Sequence, residues 1–119
     1  MVPQLKTTGS DRPTTPTEES PDEPTTAEIL ELLGNEHTRR VFEAVAERPR
    51  GGRAVAETAD VSRPTAYRRL NDLRDAGLVT TEMTIGEDGH HRERFEAVVE
   101  HVDISVDGGE MEAAVSRRR

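Results

Sequence analysis

The chain has 119 residues and a formal net charge of -8 at pH 7, a length suited to one domain around one modest core. Hydrophobic residues make up 32% and aromatics 3%, so the core must be aliphatic, with Phe42, Tyr67 and Phe95 its only large aromatics. The absence of cysteine excludes disulfides, thiolate metal sites and a cysteine nucleophile, no apolar run is long enough to span a membrane, and no signal-peptide core is seen, so a cytoplasmic protein is expected.

Residues 1–26, MVPQLKTTGSDRPTTPTEESPDEPTT, offer almost nothing to bury, so the entropy cost of ordering them has no offset. A disordered tail is expected there. Thr26 is expected to cap a first helix whose apolar face is Ile29, Leu30, Leu32 and Leu33, with Gly34 as its stop. A second helix is expected over residues 38–47, with Val41, Phe42 and Val45 on its buried side, before Arg48-Pro49-Arg50-Gly51-Gly52 breaks it.

Residues 53–59 then bury Val55, Ala56 and Ala59, Asp60-Val61 turns, and Ser62 caps a helix over 63–76 that Gly77 stops. Two helices across so short a turn outline a helix-turn-helix. Residues 78–85 and 92–99, joined by Gly86-Glu87-Asp88-Gly89, read as a hairpin and suit a wing. In the closing VDISVDGGEMEAAV, Val102, Ile104 and Val106 fall on one face, as do Met111, Ala113 and Val115 after the Asp107-Gly108-Gly109 turn. A second hairpin is expected, with a helix over 110–116 as the alternative. The fold class is therefore α+β, a winged helix-turn-helix with a short C-terminal β-hairpin. Its expected division is a tail over 1–26, a DNA-binding domain over 27–99 and a strand or dimerisation segment over 100–119.

The helix over 63–76 carries the functional signal. On a helical wheel Ala66, Leu70 and Leu73 share one side, while Pro64, Arg68, Asn71, Asp72 and Asp75 lie opposite, flanked by Thr65 and Tyr67. Arg68 thus points away from the core. From Arg48 to Arg74 seven arginines face Glu57, Asp60 and Asp72, a local balance of +4 within a chain of -8. Such segregation is the footprint expected for a phosphate backbone. Pairing with nearby carboxylates on a solvated face accounts for Arg74 but not for the cluster at the helix start. Arg63, Pro64, Thr65, Tyr67 and Arg68 are presented where a recognition helix places side chains that reach base edges.

The runs LLGNEHTRRVFEAVAERP and VAETADVSRPTAYRRLNDLRDAGLV resemble the winged helix-turn-helix of ArsR-like transcription regulators, particularly those common in halophilic archaea. The most specific part is residues 61–79. The resemblance implies that Ser62, Arg63, Pro64, Thr65, Tyr67 and Arg68 serve the major groove, with Arg63 and Arg68 as forked donors to guanine or phosphate, Thr65 as a hydroxyl or methyl contact and Tyr67 as a phosphate or base contact; Arg69 beside them is also expected to bind DNA. Arg92 and Arg94 in the wing are expected on the DNA backbone or minor groove. Lys6 is the one lysine, and carboxylate excess with arginine as almost the sole cation is similar to the composition of haloarchaeal cytosolic proteins. Metal-sensing relatives carry cysteines in the helix before the recognition helix, and the matching RAVAETAD has none.

Further readings carry less weight. His90 and His91 are adjacent, so in a strand they face opposite ways and chelate poorly; with His101 and Glu93 they form a weaker metal candidate than a groove-contacting or solvated wing tip. No Gly-rich phosphate loop, metalloprotease motif or nucleophile elbow occurs, so no enzyme, cofactor or metal is expected. The expected function is a sequence-specific, double-stranded DNA-binding transcription regulator, acting as a homodimer joined through the first helix and the C-terminal segment. Helix 63–76 would enter the major groove, with the hairpin 78–99 as wing. A winged-helix protein-interaction module within the transcription machinery is the alternative, disfavoured because a docking helix there would carry apolar anchors in place of Arg63, Thr65 and Arg68.

Overall fold

The structure, a computed structural model, describes residues 23–118; residues 1–22 of the expected tail lie outside the described residues. Thr25 opens α1 (Thr26–Leu33) through a capping box. The Glu28 N–H donates to Thr25 Oγ1 at 3.1 Å, and the Thr25 N–H donates to Glu28 Oε1 at 2.8 Å. This corrects the expected cap at Thr26. The three-residue spacing to Glu28 favours Thr25, and the Thr26 hydroxyl instead accepts the Ala113 N–H at 3.1 Å. Asn35 caps α2 (Glu36–Glu47) by accepting the Thr38 N–H at 3.0 Å, so that helix starts two residues earlier than expected. Thr38, Val41, Ala44 and Val45 are its buried residues, and Phe42 is only half-buried.

The segment read as a break holds a strand, β1 (Arg50–Gly51), which pairs antiparallel with a later strand. Next come α3 (Gly52–Ala59) and α4 (Arg63–Asp75). Asp60 sits in the left-handed region at φ 59°, a conformation that Asp tolerates better than most residues. α4 ends at Asp75 with Ala76 as its cap, one residue short of expectation. Gly77 follows at φ 81°, and the Leu78 N–H returns to the Leu73 carbonyl at 2.9 Å, closing the helix C-terminus as glycine allows.

β2 (Val79–Ile85) and β3 (His91–Ala97) form an antiparallel hairpin with Val79 opposite Ala97 and Ile85 opposite His91. The expected boundaries of 78–99 contract to these because Val98 and Val99 leave the sheet. The Val98 N–H goes to the Leu78 carbonyl at 3.1 Å, and Val99 begins β4 (Val99–Asp107), which pairs with β5 (Glu110–Arg117). The C-terminal segment is thus a hairpin and not a helix, starting one residue before 100. The strand order is β1-β3-β2 in one sheet and β4-β5 in the other.

The fold is a mixed α+β arrangement of four helices and two small antiparallel sheets. Its core joins Val41 and Val45 from α2, Val55 and Ala59 from α3, and Ala66, Leu70 and Leu73 from α4 to Phe95 and Ala97 of β3. Burial of each such Leu or Phe contributes about 1.5 to 3 kcal/mol, which fixes α4 by one stripe and leaves Arg63, Pro64 and Arg68 exposed. Of the apolar α1 face, only Ile29 is fully buried.

Candidate nucleic-acid interface

The start of α4 is built by three linked contacts. The Val61 N–H donates to the Ala56 carbonyl at 3.0 Å, closing α3 across the left-handed Asp60. Ser62 Oγ then accepts the Thr65 N–H at 3.2 Å and donates to Thr65 Oγ1 at 3.0 Å. Pro64 occupies the first turn, where a missing N–H costs nothing. The helix therefore opens with its remaining amide donors and the positive end of its dipole facing outward, an arrangement suited to a phosphate.

Ala66, Leu70 and Leu73 are completely buried, which turns Arg63, Pro64, Tyr67 and Arg68 to solvent. Four of the seven arginines between 48 and 74 have a carboxylate partner: Arg50 with Glu47, Arg53 with Glu57 at 3.6 Å, Arg69 with Asp72 at 3.1 Å and Arg74 with Glu93 at 3.6 Å. Arg50 is structural, its Nε donating to the Ala44 carbonyl at 2.8 Å. Among the described residues, Arg63 and Arg68 have no carboxylate within ion-pair distance. Local pairing thus absorbs much of the arginine stripe and leaves Arg48, in the turn after α2, and the two cations at the start of α4.

Two residues grouped with them from the sequence lie differently. Arg69 turns to the other flank of α4, into a cleft of about 470 Å³ that it lines with Glu28, Asn35, Thr38 and Asp72. Its Nε is buried with no hydrogen-bond partner among the described residues, so its guanidinium belongs to the α1–α4 junction and does not join Arg63 and Arg68. Tyr67 stands edge-on to Phe95, with ring centroids 6.2 Å apart, and its ring fills the space in which a Cβ on Gly52 would lie. It remains 41% exposed, so one ring edge is seated against the hairpin and the other is open.

On the hairpin, alternation puts Glu93 with Phe95 on the face toward α4, where it meets Arg74, and turns Arg92 and Arg94 to the opposite face. Arg94 lies 4.0 Å from Glu82, directly across the ladder, and Arg92 pairs with Asp88 at the tip. The backbone N–H of His90, with Arg92 nearby, holds the Asp88 carboxyl below its ordinary range. Met83 and Ile85 are 65% and 69% exposed. Sequence reading did not single these two out; their signal was the strand's length, which carries its alternation beyond the reach of α4.

His90 contacts Asp88 at 3.3 Å and His101 contacts Asp103 at 3.1 Å. No group of three His, Asp or Glu side chains that could hold a metal occurs among the described residues. None of the helices there is long and apolar enough to cross a membrane.

The family described as HVO_A0261 N-terminal domain matches residues 26–104, from the first residue of α1 into β4. A solved structure titled "Possible transcriptional regulator from Methanosarcina mazei Go1" is similar with a TM-score of 0.50 and 12% identity, over 60% of this chain and 62% of that one. At that identity the likeness is one of fold, and the chain spans less than two thirds of that protein. No curated protein matches.

Proposed function

The chain belongs to the HVO_A0261 N-terminal domain family, and from that premise we propose that it is a sequence-specific, double-stranded DNA-binding transcription regulator. We read α2 to α4 with the β2–β3 hairpin as an ArsR-like winged helix-turn-helix acting in the cytoplasm as a homodimer. The observation that carries this is the exposed start of α4, where Arg63 and Arg68 are without described carboxylate partners while neighbouring arginines are tied down. An α-helix about 10 to 12 Å across fits the major groove, about 12 Å wide. Arg63 and Arg68 then supply forked donors to guanine or phosphate, and Ser62, Pro64 and Thr65 shape the helix start around them. Arg92 and Arg94 exchange their carboxylate partners for phosphates. The likeness in fold to the Methanosarcina protein, itself a possible transcriptional regulator, supports the regulatory reading.

Selection of duplexes bound by the full chain from a random-sequence pool tests it, followed by gel-shift titration on selected and scrambled duplexes. Arg68→Ala should weaken the selected complex by about 1 to 3 kcal/mol and relax preference at one base pair, and adding Arg63→Ala should weaken it further. Equal loss on both duplexes would reduce Arg68 to a phosphate contact. Binding unchanged in the double variant would overturn the reading and favour a protein partner.

A further inference from the structure

The hairpin of β4 and β5 ends the described chain with one long edge uncovered. β4 spans nine residues and pairs with β5 only, and α1 lies on the β5 side, joined by the Thr26–Ala113 hydrogen bond. The other edge of β4 therefore has no strand beside it among the described residues. A two-stranded hairpin is marginal in water unless a face is covered or a strand is added, and a free edge is a template for another chain.

The ladder places Val102 opposite Val115, Ile104 opposite Ala113 and Val106 opposite Met111, all on one face. The other face carries Asp103, Ser105, Glu112, Asp107 and Glu110. The base of the apolar face packs on the core through Val102 and Val115. Toward the turn it is open, with Ile104 52%, Val106 68% and Met111 53% exposed.

We propose that β4 pairs edge to edge with β4 of a second copy, antiparallel and centred on Ile104, so that the two hairpins form one four-stranded sheet with a continuous apolar face. The inference rests on the homodimer part of the reading above and gives that dimer its interface. Strand complementarity selects the occupant. About a two-fold axis at Ile104, that residue meets the partner's Ile104, Val102 meets the partner's Val106, Asp103 meets the partner's Ser105, and His101 meets the partner's Asp107. Apolar side chains meet apolar ones, and the histidine that bonds Asp103 at 3.1 Å within its own strand gains a second carboxylate across the axis.

Neighbouring registers fail on the same rules. Centring on Asp103 sets that carboxylate against itself, and centring on Ser105 opposes Asp103 to the partner's Asp107; like charges directly opposite are destabilising. A shift by one residue between the copies puts the apolar face of one on the polar face of the other. Centring on Val102 leaves Val106 without a partner strand and draws in the irregular pairing between Val99 and His101. An isologous contact of this kind closes as a dimer and does not propagate.

The test uses the full chain and its lack of cysteine. Light scattering should give about twice the 13.2 kDa chain mass, and Ile104→Arg, at an exposed position on the axis, should give the monomer. Ile104→Cys should oxidise rapidly to a covalent dimer, because residues directly opposite have Cβ atoms about 4.5 to 5.5 Å apart, near disulfide reach. Ser105→Cys should react at least about tenfold more slowly, since its counterpart lies diagonally about 7 to 8 Å away. A monomeric wild type would overturn both the dimer and its interface. A dimer that survives Ile104→Arg, or in which Ser105→Cys cross-links as fast as Ile104→Cys, would overturn the interface alone. None of these readouts involves DNA, so they fail separately from the groove reading.

Discussion

Along α4, Tyr67, Arg68 and Arg69 are consecutive, yet the helix sends them three ways. At about 100° per residue, Arg68 faces solvent, Tyr67 turns toward the hairpin and Arg69 toward α1. The wheel made Arg68 legible because Ala66, Leu70 and Leu73 define the core side without knowledge of the neighbours. It could not separate Arg69 from the cationic cluster, because that required knowing that α1 and Asp72 form a cleft on its flank. Nor could it show that Gly52 leaves room for the Tyr67 ring, a contact between elements distant in sequence. Gly52→Ala should push Tyr67 off Phe95 and cost about 1 to 3 kcal/mol by overpacking. The chain has one tyrosine and no tryptophan, so thermal melting followed by tyrosine emission reports both consequences. An unchanged melting temperature with unchanged emission would show that the ring is not seated there.

Among the elements, those specified by local chemistry were the readable ones. Ser62 before Pro64 announces α4, and two glycines after Asp107 announce the β4–β5 turn, where Gly108 and Gly109 take φ of 63° and 86°. β1 was hidden because Pro49 and two glycines read as a breaker, and its two residues become a strand only by pairing with Phe95 and Arg94. The β2–β3 tip shows how a local device orders a loop. Asp88 accepts the His90 N–H at 3.0 Å, and that bond is the main cause of its lowered pKa, with Arg92 adding to it. A carboxyl lowered on folding contributes stability that is present above its unfolded value and lost as pH falls through the folded one. The tip should therefore stay ordered at neutral pH and loosen only below the ordinary Asp value of 3.8, and Asp88→Asn should remove that acid transition. Carbon-detected NMR titration of the Asp88 carboxyl, read beside the His90 amide, measures it; a midpoint above 3.8 would contradict the hydrogen bond's role.

For the whole molecule, the tension lies between a net charge of -8 and the polyanionic partner proposed for it. Arginine provides nearly all the cations; it is weakly hydrated and can form two directed hydrogen bonds where lysine offers a hydrated point charge. In molar salt the Debye length is about 3 Å, so repulsion between the chain and DNA is screened and contact-range bonds decide. Specific binding should persist near roughly 2 M KCl. It should also fall with salt less steeply than about -0.9 per phosphate contact, because carboxylates such as Asp75 take up cations as phosphates release them. Affinity for a fixed site across a KCl series checks this, and a steep fall with binding gone above about half molar would contradict it. The most direct measurement is methylation interference on a selected duplex, because guanine N7 is exposed in the major groove and is the acceptor that Arg63 and Arg68 would use. Methylation of guanine N7 within the site should block binding, and Arg68→Ala should abolish interference at one guanine while leaving the others. Full binding to duplexes methylated at every guanine N7 of the site would contradict entry of α4 into the major groove.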